Sequence, residues 1–269
     1  MIYLNETVQA EHILKTGELN KNIIPTLFLL GKYYRHQKHL DPGQTYYELD
    51  EFLRQNYEGY VPASWESTLE RIAKSSDKYL PRKLDHVGIT RHELDRIAET
   101  ESLKHQKILF SLLCHAKAYN LTSDKNDGWI NTEIPEIYRL ANVTVKHRDD
   151  KYLYLNALLR KGYISHPKRS DNTNLRVNFI DMEGEPVLKI TELRDLGYQY
   201  LQFLGKENLI RCAKCGRLVK KTGNRKLYCK NCAKAVKALQ DRGYYLANRK
   251  AGQNTDPKTQ KTEKPLKPV

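Results

Sequence analysis

The sequence predicts a mainly α chain of the α+β class that ends in a small metal-binding module. Three observations lead there. Apolar residues recur at helical spacing through most of residues 1–205. Short extended runs interrupt them only between residues 129 and 190. Two Cys-x-x-Cys pairs then follow, inside a segment that carries all of the chain's excess positive charge. The expected division is a helical domain over 1–98, a second domain over 99–205, a four-cysteine module with a basic helix over 206–250 and a disordered basic tail over 251–269. At 269 residues the chain is long for a single domain, which favours such a division.

In the first region, Lys21–His36 has a dense apolar centre and reads as a buried helix, with Pro25 tolerated only near its start. Asp41-Pro42-Gly43 reads as a turn. Thr45–Tyr57 places Tyr46, Leu49, Phe52 and Leu53 at helical spacing, and Val61–Ser75 does the same with Trp65, Leu69 and Ile72. Pro81 to Gly88 reads as a loop. Thr90-Arg-His-Glu93 is a capping-box pattern that opens a helix to Ala98. The pairs Tyr33/Tyr34 and Tyr46/Tyr47 are read as core and rim packing rather than as base-stacking platforms.

The second region begins with an apolar helix, Ser102–Asn120, in which Cys114 is expected to be a buried free thiol. Trp129–Asn131 is extended. Thr132 precedes a helix over Glu133–Ala141, with Pro135 early in it. Asn142 is a turn residue, and Thr144 can cap a helix over Val145–Lys161 that Gly162 ends in the left-handed region. Tyr163–His166 and Leu175–Ile180 are strands about a polar tip. Val187–Ile190 is a further strand, and Thr191–Leu204 a helix expected to pack on that hairpin.

The four cysteines come last. Cys212/Cys215 and Cys229/Cys232 stand thirteen residues apart, a spacing suited to one structural Zn²⁺ in a four-sulfur tetrahedral shell. A redox pair or two disulfides are the alternatives, and both fit poorly with a cytoplasmic chain. So small a core would draw most of its folding energy from the metal, about 10–16 kcal/mol. Net charge is +14: residues 206–269 hold eighteen Lys/Arg and four Asp/Glu, while residues 1–205 hold 28 of each sign. Gathered charge of this kind is the footprint of a polyanion binder, the plainer alternative being a solubilising tail. A signal-peptide pattern and a long apolar run are absent, so a cytoplasmic, non-membrane protein is expected. P-loop, dinucleotide, HExxH and nucleophile-elbow motifs are also missing, and the scattered histidines read as surface residues, so no enzyme is expected.

The order helix, strand, helix, turn, helix, strand, polar loop, strand over about 80 residues, 101–180, resembles a winged helix-turn-helix. The segment IPEIYRLANVTVKHRDDKYLYLNALLRKGYISH resembles that family's core. The resemblance implies a recognition helix over Val145–Lys161 that offers Lys146, His147, Arg148 and Lys151 to the major groove. It further implies a small β wing whose Lys168, Arg169, Asn172 and Asn174, with Arg176, meet phosphate or the minor groove. Asp149 and Asp150 depart from that pattern. Residues 211–233, through Cys212, Cys215, Gly216, Tyr228, Cys229, Cys232 and Ala233, resemble treble-clef or zinc-ribbon units of Gram-positive phage and mobile-element proteins. Phosphate contacts are then expected from Arg217, Lys220, Lys221, Arg225, Lys226, Lys230, Lys234 and Lys237. The function these resemblances imply is a zinc-containing DNA-binding protein acting in transcription or replication. The alternatives are an effector that grips a host protein through residues 1–98, and an RNA-binding protein. Expected partners are double-stranded DNA, a host or phage protein, and a second copy of the chain.

Overall fold

The computed structural model describes residues 3–19, 22–100, 102–123, 125–147, 149–167 and 174–253, with side chains described as far as Tyr244. Of the tail expected to be disordered, residues 254–269 lie outside the described residues. The fold is mainly helical with small antiparallel sheets, an α+β arrangement. It divides into two compact units, Met1–Tyr200 and Leu201–Val269.

Unit 1 opens with four helices. In α1 (Glu6–Thr16) the side chain of Asn5 accepts from the Val8 N–H, and Gly17 at φ 65° ends the helix. In α2 (Ile24–His36) Pro25 occupies the first turn, as expected, where its missing N–H costs nothing. α3 (Pro42–Asn56) starts earlier than the sequence suggests. The Asp41-Pro42-Gly43 turn is its cap: Asp41 accepts from the Gln44 N–H, and Gln44 reaches back to the Asp41 N–H. α4 (Pro62–Ser75) completes the group. Leu27, Leu30, Leu49, Leu53, Leu69 and Ile72 form its core. Tyr33 and Tyr34 are buried in that core, while Tyr47 is 72% exposed at its edge.

Strand β1 (Val87–Thr90) begins in the last two residues of a stretch that reads as a loop, and it pairs antiparallel with β5 (Pro186–Ile190). Thr90 then caps α5 (Arg91–Ala98) through the expected box with Glu93. α6 (Leu103–Asn120) is buried on nearly every side from Lys107 to Ala118 and forms the centre of this half. Around it come β2 (Trp129–Ile130), α7 (Ile134–Leu140), α8 (Asp150–Arg160), β3 (Ile164–Ser165) and β4 (Leu175–Val177). The three strands make one antiparallel sheet in the order β2-β4-β3.

Two elements differ from expectation. α8 begins at Asp150 rather than Val145. The β-branched run Val143-Thr144-Val145 disfavours helix, and Lys146 and His147 at a helix start would oppose the macrodipole, whereas Asp149 and Asp150 suit it. α9 (Leu196–Phe203) starts late because Asp195 takes a left-handed turn at φ 50°. It packs on α6: the Tyr200 ring lies 5.0 Å from that of Phe110, and its hydroxyl donates to Gln106 Oε1 at 3.3 Å.

Candidate metal centre and the charged surfaces

Unit 2 is built on a hairpin, β6 (Leu209–Arg211) against β7 (Leu218–Lys220), with Ile210 opposite Val219. The first cysteine pair sits in its turn. The Cys212 N–H donates to the Arg217 carbonyl at 2.9 Å, and the Gly216 N–H to the Cys212 carbonyl at 2.8 Å. Gly216 has φ 69°, which glycine adopts without strain. The second pair stands where the chain enters α10 (Lys230–Gln253). There the Cys232 N–H points at Cys229 Sγ, 3.4 Å away. The Ala213 N–H donates to the Leu227 carbonyl at 2.9 Å and so ties one loop to the other.

All four sulfur atoms lie within 4.8 Å of one another, and Cys215 Sγ is 3.8 Å from Cys229 Sγ. The four are free thiols. Cys212 and Cys229 are buried, and Cys215 and Cys232 half-buried. Such a cluster can hold one metal ion, and its four ligands leave no position open for a substrate. Electrostatics favour a cation there. Burial works against a charged Cys212, yet N–H groups of Cys229, Cys215 and Lys214 outweigh it and bring its pKa down to about 6. Burial, followed by hydrogen bonds that the Cys232 thiol donates to the other three sulfurs, raises that of Cys232. Cys212 is thus the cysteine nearest the thiolate form, and the others would release their protons to solvent as a cation binds.

The basic residues of this unit are not all alike. Lys221, Arg225, Lys230, Lys234 and Lys237 are exposed. The last three recur at intervals of four and three along α10 and so share one face. Lys220 pairs with Glu207 at 2.5 Å, Lys226 donates to the Lys220 carbonyl, and Arg217 is half-buried.

In unit 1 only part of the expected groove-reading set falls on described residues. Lys146 and His147 are exposed but precede α8, and the Lys151 ammonium lies 5.7 Å from the centre of the Tyr138 ring. Arg176 is held by Asp127 through an ion pair and by its carbonyl at 2.9 Å. Asn174 is half-buried. Arg148, Lys168, Arg169 and Asn172 lie outside the described residues. The outward stripe of α8 is instead Asp149, Leu153, Asn156 and Arg160, with Leu153 65% exposed.

Two buried ion pairs escape sequence reasoning. Lys32 meets Glu6, and Lys117 meets both oxygens of Glu93 at 2.8 and 2.9 Å. The only signal in the sequence is a lysine within an apolar helix. His115 is likewise buried rather than at the surface, as the histidines were expected to be, with Nδ1 2.8 Å from the Ser111 carbonyl. Cys114 is buried as expected. Among the described residues no helix is long and apolar enough to cross a membrane. Comparison with protein-family models, with curated proteins and with solved structures finds no match.

Proposed function

We propose that this chain is a zinc-dependent nucleic-acid-binding protein, with duplex DNA as its first candidate ligand. The observation that carries the reading is the coincidence of the four-sulfur cluster with the entire charge excess, eighteen Lys/Arg against four Asp/Glu over residues 206–269. Zinc is the ion we propose, because four thiolates suit its tetrahedral shell; the sulfur–sulfur edge of such a shell is about 3.8 Å, and Cys215 lies 3.8 Å from Cys229. Once folded on the metal, the hairpin and α10 present Lys221, Arg225, Lys230, Lys234 and Lys237 to phosphate. A reducing, cytoplasmic setting suits thiols kept for metal.

The order α6, β2, α7, α8, β3, β4 and the strand order β2-β4-β3 support reading the second half of unit 1 as a winged helix. In this reading it is a scaffold for the zinc unit, because its outward helix carries carboxylates where phosphate would lie. Control of transcription or replication in a mobile element is the setting we propose.

The test is a mobility-shift series on the full chain in rising salt, with and without chelator. Binding is expected to weaken by about 10³–10⁵ between low and moderate salt if six to ten phosphates are engaged, and to be lost on metal removal. Flat, weak binding at every salt concentration overturns the reading. Preference for single-stranded RNA in a competition assay would shift it to RNA.

One observation favours a second reading, a protein-gripping effector. Residues 41–75, the α3–α4 pair with its cap, hold seven Asp/Glu and three Lys/Arg, beside the exposed Tyr47 and Val61. A partner that copurifies with the full chain, and is lost in Tyr47→Asp while nucleic-acid binding stays intact, would support that reading.

A further inference from the structure

We infer that the outward face of α8 is a two-fold contact surface for a second copy of this chain. Asp149, Leu153, Asn156 and Arg160 recur at intervals of four, three and four, which sets them on one side of the helix, and all four are exposed. Tyr152, 47% exposed, stands beside Leu153. Leu155 and Leu158 face the other way and are buried.

What identifies the occupant is the order of charge along this stripe. Its N-terminal end carries Asp149 and Asp150, its C-terminal end Arg160 and Lys161, and its middle is apolar or uncharged. Asp149 and Arg160 stand at equal distances from the middle of the stripe, as do Leu153 and Asn156. An identical helix laid antiparallel across it therefore sets Asp149 against the partner's Arg160, and Arg160 against the partner's Asp149, at the same time. Leu153 then packs beside the partner's Asn156 and Tyr152. This self-complementarity is the requirement of an isologous interface. Neither Asp149 nor Arg160 has an ion-pair partner among the described residues. A polyanion fits the same face worse, because its phosphates would meet two carboxylates at the helix start.

The contact is small. α8 spans 11 residues, roughly 16 Å, so a single helix pair buries less than the ~1,200–2,000 Å² of stable interfaces. The dimer is therefore in reversible exchange, and a nucleic acid that engages both zinc units would strengthen it.

Sedimentation equilibrium of the full, zinc-loaded chain over a wide concentration range tests this. Wild type is expected to move from monomer to dimer. Leu153→Asp should weaken the dimer at least tenfold, as should Asp149→Arg or Arg160→Asp alone, and the double charge swap should restore it. Far-ultraviolet dichroism checks that each variant folds. If Leu153→Asp does not fold, the charge series still decides. A protein that stays monomeric at all concentrations overturns the proposal, as does a charge swap that fails to restore the dimer. It falls as well if the Leu153→Asp chain dimerises as wild type does, or if these variants alter only nucleic-acid affinity. Lys234→Gln with Lys237→Gln should leave dimerisation unchanged, so failure of the nucleic-acid reading is separable from failure of this one.

Discussion

Glu93 shows how much a single side chain can hold together. It is fully buried, accepts from the Thr90 and Asp181 N–H groups, and receives the Lys117 ammonium on both oxygens. Lys117 also donates to the Asp181 carbonyl at 2.6 Å. α5, α6 and the chain beyond β4 are thereby joined at one carboxylate. Glu93→Gln leaves a buried ammonium without its counter-charge and should cost about 3–5 kcal/mol in denaturant unfolding, whereas Glu93→Leu with Lys117→Met should cost less than the two single changes added. His115 gives a pH prediction. Burial holds its pKa below the usual 6.5. The unfolded chain therefore takes up the proton first as pH falls, so this histidine's contribution is complete above about pH 6.5 and declines below it, by at most ~1.4 kcal/mol per pH unit. Unfolding measured between pH 7 and 5 should show that slope, and His115→Phe should flatten it. In unit 2, Cys232→Ser removes one of four ligands. Zinc stoichiometry by chelator titration should fall from one toward none, and proteolysis should then cut unit 2 while sparing unit 1.

At the level of elements, α9 depends on a close approach. A Cβ on Gly197 would lie 1.8 Å from the Ala141 carbonyl oxygen, in the turn between α7 and α8. That turn is fixed by Asn142 at φ 49°, whose carbonyl takes the Lys107 ammonium at 2.6 Å and whose side chain accepts from the Tyr198 N–H. Gly197→Ala should push α9 off the turn and cost about 1–3 kcal/mol or more in thermal unfolding. This junction also marks where the sequence stops being legible. Local chemistry can be read from it: the Thr90/Glu93 box, Pro25 in the first turn of α2, and the paired cysteines all stand where spacing and capping rules put them. Features that depend on distant partners cannot. β1 is a strand only because β5 pairs with it far along the chain, and nothing in Pro81–Gly88 announces that. The start of α8 turned on a balance between a β-branched run and two aspartates, which a Thr144 cap motif does not weigh. Asp-Pro-Gly suits both a turn and a helix cap, and only Gln44 three residues after Asp41 separates the two.

For the molecule as a whole, the distribution of charge matters more than its sum. Unit 1 brings neutral bulk and two buried ion pairs that are invisible to a ligand, while the C-terminal segment carries the field. If the zinc unit is the electrostatic arm, the affinity for duplex DNA should fall linearly in log–log form with salt. The slope should drop by about one for each phosphate-bound cation removed. Lys230, Lys234 and Lys237 lie on one face of α10, so replacing all three with Gln should flatten the slope by as much as about three without disturbing the cysteines, provided the phosphates lie along that face. Removing Arg176, already engaged by Asp127, should change the slope little. A titration in which the triple variant keeps the wild-type slope, while Arg176→Gln loses it, would move the nucleic-acid surface from the zinc unit to the β2-β4-β3 sheet. Zinc would then serve only to fold the C-terminal segment.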